Sequence, residues 1–253
     1  MSRFRHLSSS APRSHEVHVW LLDRDDINPT TITAFASLLP QQDRERMETF
    51  RSSTRRHLFV LTRMLLRKIL SAYIANSTPD SLVFTQNAWG KPQLVPNSQA
   101  LHFNLSHSKD KVVIAVANKR VLGVDIEYMD RSRNFNNIAQ HYFHPTEWND
   151  EIVEQNCILN MRRFYKLWTL KEALSKAEGQ GLALPFDSFY FSDVNSKQVT
   201  LHSAADFKPA CPWRFHHQFT PDNYSLAMAF EGVAEDSHTA VSIVQRLALD
   251  DIS

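Results

Sequence analysis

From Asp43 to Ala75 the chain runs without a glycine or a proline, and no other stretch constrains the fold as much. Its second half places Leu58, Leu61, Leu65, Ile69 and Ala72 at steps of three and four residues, the spacing that gathers one apolar face on an α-helix. Such a face has to be buried, and the segments around it supply the surface. Val17 to Leu22 reads as a strand, as do Leu82 to Thr85, Leu101 to Leu105, Val112 to Ala117 and Val121 to Glu127. A helical stretch leads on from Pro145. Strand patterns return at Ser188 to Phe191, Val199 to Leu201, Trp213 to Phe219 and Tyr224 to Phe230, the last two joined by the turn Pro221-Asp222-Asn223. The order helix, strands, helix, strands predicts an α+β fold with largely antiparallel sheets. No sequence repeat and no Pro/Gly/Ser-rich linker marks a boundary.

The totals remove several classes of function. With 28 basic and 27 acidic residues the net charge is +1, which excludes a strongly basic nucleic-acid binder. No apolar run approaches the ~20 residues of a membrane span, so a soluble, cytoplasmic protein without a membrane partner is expected. The opening MSRFRHLSSSAPRS lacks the apolar core of a secretory signal; residues 1–14 are expected to be a disordered lead outside the fold. Cys157 and Cys211 are expected to be reduced and buried. The 12 histidines fall into no C-x-x-C or H-E-x-x-H zinc spacing.

Three stretches carry candidate chemistry. In VLGVDIEY, Leu122, Val124 and Ile126 point to one side of a strand, while Gly123, Asp125 and Glu127 point to the other. The bases of the two acidic side chains then lie roughly 6.5 Å apart, beside the open surface expected at Gly123. Two solvated acids are the plain reading; a shared hard cation is the sharper one. In KLWTLKEALSKAEGQGL, Leu167, Leu170, Leu174 and Ala177 form the apolar side of a helix. Glu172 lies nearly opposite, with Trp168 and Lys176 four residues to either side. Gly179 and Gly181 suit a left-handed helix exit. In LHFNLSHS, preceded by Gly90-Lys91-Pro92, Ser106 stands next to His107. Neighbours on a strand face opposite ways, so these two do not form a nucleophile–base pair, and hydrogen bonding to a phosphorylated ligand is the better functional reading. Arg55, Arg56, Arg63 and Arg67 are either a solvated helix face or an anion site.

Taken in order, GKP, FNLSHS, G-V-D-I-E and W-x-x-K-E-A-x-x-K with a following G-x-G-L resemble the 4′-phosphopantetheinyl transferases of the Sfp type, from about Leu38 to Phe230. The resemblance implies two similar α/β half-domains related by a pseudo-two-fold, each a small, mostly antiparallel sheet with a long helix. They would divide as residues 15–118 and 119–253, with the active site in the cleft between them. It implies transfer of the phosphopantetheine arm of coenzyme A to a serine of an apo acyl or peptidyl carrier protein, a transient partner. Mg²⁺, or Mn²⁺ in its place, would be held by Asp125, Glu127 and Glu172. Lys171 and Lys176 would stand near the phosphates. Lys91, Pro92, Ser106 and His107 match positions that hold the coenzyme, while Arg46 (or Arg44) and Arg63 stand in for the family's basic residues near its 3′-phosphate. Glu172, flanked by Asp125 and Lys176, is the candidate general base, with a metal-bound water as its rival. Tyr128 to Trp148 would meet the carrier, with Arg131 and Arg133 steering it, and the enzyme would be a monomer. Two alternatives stay open: a relative that binds coenzyme A or a carrier without catalysis, and a Mg²⁺-dependent hydrolase of the coenzyme's diphosphate.

Overall fold

The computed structural model describes residues 11–24, 27–95, 100–149, 157–196, 198–204, 206–232 and 240–244. The first half of the chain is β1 (Glu16–Asp23), the helices α1 (Pro29–Leu38), α2 (Gln41–Glu48) and α3 (Ser53–Tyr73), the hairpin β2 (Val83–Gln86) with β3 (Pro92–Val95), then β4 (Leu101–Ser108) and β5 (Lys111–Asn118). The second half follows the same plan: β6 (Leu122–Tyr128), α4 (Phe135–Tyr142), α5 (Cys157–Glu178), the hairpin β7 (Phe189–Ser192) with β8 (Thr200–Ser203), then β9 (Trp213–Phe219) and β10 (Tyr224–Glu231). Strand order repeats as well, β1-β5-β4 in one sheet and β6-β10-β9 in the other, with antiparallel neighbours throughout. Two similar halves are thus plain in topology. The last described strand, β11 (Ala240–Val244), departs from a simple division at Asn118, because it lies parallel to β1 and belongs to the first sheet.

Apolar alternation fixes how the layers stack. One face of the first sheet (Trp20, Leu22, Phe103, Ile114, Val116) packs on the stripe Leu61, Leu65, Ile69 of α3. Its other face (Val17, Val19, Val113, Ala115) packs on Leu122, Val124, Ile126, Leu226 and Met228 of the second sheet. On the far side Ala227 and Ala229 meet Leu167, Leu170 and Leu174 of α5. The order is therefore helix, sheet, sheet, helix. Each fully buried Val, Leu, Ile, Phe or Met of these layers contributes roughly 1.5–3 kcal/mol.

Several expectations change. Gly123 leaves no open surface: a Cβ there would lie 2.1 Å from the Ala173 carbonyl oxygen and 2.5 Å from the Ala177 nitrogen, so the glycine is where α5 crosses β6 at closest approach. The Gly- and Pro-free stretch forms two helices, because Ser52 accepts a hydrogen bond from the Arg55 backbone and starts α3 afresh. Helix α1 was missed although its signal is present: Asn28 caps Thr30 and Pro29 takes the first turn. The supposed lead is packed near its end, where Pro12 is buried and Ala11 touches the first core; residues 1–10 lie outside the described residues, as do 150–156 of the helical stretch expected after Pro145. Both cysteines are free, but Cys157 is exposed and Cys211 only half-buried, so neither is a core residue.

Candidate active site

The two halves meet where β4, the edge of the first sheet, runs beside β6, the edge of the second. Alternation on β6 turns Asp125 and Glu127 away from the inter-sheet core and toward α5. The close crossing at Gly123 brings α5 down onto the same spot. Lys176 then reaches Asp125, its Nζ donating to Oδ1 at 2.6 Å and to Ser106 Oγ at 2.9 Å. Ser106 Oγ in turn donates to Asp125 Oδ1 at 2.8 Å. Asp125 is 3% exposed, and its second oxygen, Oδ2, is buried without a hydrogen-bond partner. Ser108 Oγ donates to Glu127 Oε2 at 2.8 Å.

Glu172, one turn before Lys176, shares this environment. Burial first, then the negative charge of Asp125, pushes its carboxyl up to about 7, against the opposing pull of Lys176. Burial and Asp125 also raise Glu127, while Ser108 and Arg133 pull it back. Two carboxyls raised by burial and by the charge of Asp125 beside them mark a site short of positive charge.

A cavity of about 660 Å³ opens beside this cluster. Lys176 and His107 line it on the carboxylate side, Phe59 and Arg63 on the α3 side, and Lys91 and Pro92 at the hairpin. The hairpin is tied to the end of α5: Asn87 Nδ2 donates to the Gly179 carbonyl at 2.9 Å, and Asn87 Oδ1 accepts from the Lys91 nitrogen. Gly179 is the left-handed residue that ends α5, with φ of +78°. Its N–H bonds Lys176 O and that of Gln180 bonds Ser175 O, the paired closure that a glycine permits there. The residue pattern of the helix exit thus also shapes the cavity rim.

The structure sorts the residues singled out in the sequence. Asp125, Glu127, Glu172, Lys176 and Ser106 come together, and Lys91, Pro92, His107 and Arg63 line the neighbouring cavity. Lys91 Nζ donates to Leu122 O at 3.1 Å and Ala177 O at 3.3 Å, so it clamps the hairpin to the second half, and burial pulls it down to about 8. Arg63 pairs with Asp43 at 3.5 Å and lies over the Phe59 ring. Arg46 lies over Phe50, whose ring lines the cavity. Arg67 is no anion site, since Asp43, Pro79 O and Leu82 O occupy its guanidinium.

Lys171 is the clear correction. It is fully buried and faces away from the cluster, in ion-pair contact with Glu147 at 2.7 Å and donating to Phe186 O and Phe189 O. One residue along a helix is a rotation of about 100°, so neighbours Lys171 and Glu172 serve different surfaces. Glu147, equally buried, was not singled out in the sequence; its signal was its place in FHPTEW, the aromatic segment before α5. Arg133 is the other residue with more than a steering position, its guanidinium held 5.1 Å over the Trp168 ring.

The donor set can be tested against a hard divalent ion. Among the described residues no three carboxylate, imidazole or thiol groups are drawn together closely enough to enclose one. The chemistry nevertheless fits: all-oxygen donors, an unpartnered buried Asp125 Oδ2, and carboxyls held above their usual range for want of positive charge.

Comparison with known proteins identifies the family. Residues 121–229 match the sequence model of the 4′-phosphopantetheinyl transferase superfamily, and residues 27–119 match that described as 4′-phosphopantetheinyl transferase, N-terminal. The chain is 31% identical to the 4′-phosphopantetheinyl transferase HetI of Nostoc sp., over 67% of this chain and 71% of that protein. It is 32% identical to the 4′-phosphopantetheinyl transferase Sfp of Bacillus subtilis, over 69% of this chain and 75% of the relative. A phosphopantetheinyl transferase of Thraustochytrium sp. is 28% identical over 82% of this chain and 75% of its own length. Among the described residues no helix is long and apolar enough to cross a membrane.

Proposed function

This chain belongs to the 4′-phosphopantetheinyl transferase superfamily, Sfp type, and from that premise we propose that it moves 4′-phosphopantetheine from coenzyme A to a serine of an apo acyl or peptidyl carrier protein in a Mg²⁺-dependent reaction. Holo carrier and adenosine 3′,5′-bisphosphate are the products. The observation that carries this reading is the meeting of Asp125, Lys176 and Glu172 beside a cavity large enough for the nucleotide end of the coenzyme.

In this reading the diphosphate lies at the Lys176 end of the cavity, with Lys91 and His107 on its flank and Arg63 and Arg46 toward the 3′-phosphate. Asp125, Glu127 and Glu172 would hold the ion, which when bound neutralises charge on the diphosphate oxygens. In this reading Glu172 takes the proton from the carrier serine, directly or through water. The serine oxygen forms a bond to the phosphorus that carries pantetheine. The bond from that phosphorus to the bridging oxygen breaks, and its electron pair leaves with the bisphosphate. In this reading Lys176 meets the developing charge on the leaving group. Its hydrogen bonds to Asp125 and Ser106 keep it from folding away into solvent.

The test is incubation with coenzyme A, Mg²⁺ and a panel of apo carriers, read by intact mass. Gain of one phosphopantetheine on at least one carrier is expected, and only with the ion present. A panel left entirely unmodified contradicts the proposal.

A further inference from the structure

Strand β4 presents three polar side chains at two-residue steps, Asn104, Ser106 and Ser108, and all three cross to β6. Asn104 Oδ1 accepts from the Val124 nitrogen at 2.9 Å. Ser106 and Ser108 donate to Asp125 and Glu127, as described above. This ladder joins the edges of two sheets through side chains, where a continuous sheet would use backbone groups.

The direction of the Ser108 bond is fixed by its surroundings. Its oxygen accepts the Tyr128 backbone N–H at 3.1 Å. Its single proton is therefore left for Glu127 Oε2, the only acceptor placed against it among the described contacts. Ser106 is locked in the same way, its oxygen accepting from Lys176 while its proton goes to Asp125. Each hydroxyl occupies one oxygen of one carboxylate and limits how that group can turn. Neither Ser106 nor Ser108 lines the cavity, whereas Asn104 and His107 of the same strand do.

We infer that Ser108 is a positioning residue: it orients Glu127 for a divalent cation and takes no part in holding the coenzyme. The inference rests on the reading of Glu127 as an ion ligand. A ligand carboxylate that rotates freely loses entropy on binding, and a hydrogen bond from a neighbouring shell removes that cost. The first half of the chain thus tunes a ligand that the second half supplies.

The experiment titrates Mn²⁺ into the full-length protein with coenzyme A present and follows free ion by electron paramagnetic resonance. Wild type, Ser108→Ala, Ser108→Thr and Glu127→Gln are compared, each checked by thermal unfolding. Ser108→Ala is expected to weaken Mn²⁺ binding about 10- to 100-fold. Ser108→Thr, which keeps the hydroxyl, should recover most of that loss. At saturating ion the KM for coenzyme A should stay at the wild-type value in both. Wild-type Mn²⁺ affinity in Ser108→Ala, with Glu127→Gln weakened, overturns the inference and leaves the ligand assignment standing. Wild-type affinity in Glu127→Gln overturns the assignment itself. An affinity loss that Ser108→Thr does not restore, accompanied by a lowered unfolding temperature, also overturns the positioning role in favour of a structural one.

Discussion

Lys176 Nζ and Asp125 Oδ1 stand 2.6 Å apart, joining the last turn of α5 to the middle of β6. The contact places a cation among three carboxylates, at the rim of the cavity. Lys176→Met should lower kcat/KM for the apo carrier by about 10²–10³-fold, the scale of losing one charge-stabilising donor. Lys176→Arg should recover part of it. Steady-state rates at saturating coenzyme A, beside a thermal melt of each variant, check this. An unchanged rate in Lys176→Met would show that the contact is structural only.

Gly123 and the α5 backbone define how near the helix comes. Gly123→Ala forces its new methyl against Ala173 O and Ala177 N, neither of which can rotate aside. The variant should lose at least ~1–3 kcal/mol of stability, the usual scale of overpacking. Transfer should fall further than stability does, because α5 carries both Glu172 and Lys176. Urea unfolding and carrier modification, measured together, test the coupling.

The buried pair Glu147–Lys171 yields a prediction of a different sign. Burial lowers Lys171 and raises Glu147, and each partner opposes that shift in the other. Lys171→Met alone strands a buried carboxylate and should cost about 3–5 kcal/mol. Adding Glu147→Leu should return most of that stability, since an apolar pair of similar volume replaces two desolvated charges. A double-mutant cycle by chemical denaturation measures it. Additive losses would mean that the two charges do not compensate each other.

These cases show what the sequence could and could not carry. Its periodicities were enough for the α5 stripe, for the two sides of β6 and for most strands, because each is set by neighbours within a few residues. Lys171 was misplaced because a run of charged residues on one helix does not say which of them has a buried partner; Glu147, which decides it, lies 24 positions away in the numbering. Gly123 was misread for the same reason, its meaning fixed by a helix packed on it from a distant segment. The role of Ser106 and Ser108 depends on β4 and β6 lying edge to edge, a relation between two sheets that alternation within one strand cannot express. The repeated half-domain plan is carried by topology alone.

Acid stability offers a fourth test. Burial, with Lys166 and His216 nearby, pulls His217 down to about 3, and its Nε2 lies 2.9 Å from Ser225 Oγ. In the unfolded chain the imidazole takes up its proton near pH 6.5. Between about pH 6.5 and 3 the unfolded state therefore holds the extra proton, and stability falls as pH falls. His18, His102 and His216 are lowered in the same direction, so the comparison that isolates this residue is wild type against His217→Gln. The variant should lose stability less steeply across that window, by up to about 1.4 kcal/mol per pH unit. Parallel curves would contradict the assignment.

The most direct test of the proposed reaction counts both products in one vessel. Coenzyme A, Mg²⁺ and protein are incubated with and without an apo carrier, the carrier is weighed intact, and adenosine 3′,5′-bisphosphate is quantified by chromatography. Transfer in the cleft predicts one bisphosphate for each phosphopantetheine gained, and essentially none without carrier. Bisphosphate released at the same rate in the absence of carrier, or a carrier that gains nothing, would contradict it.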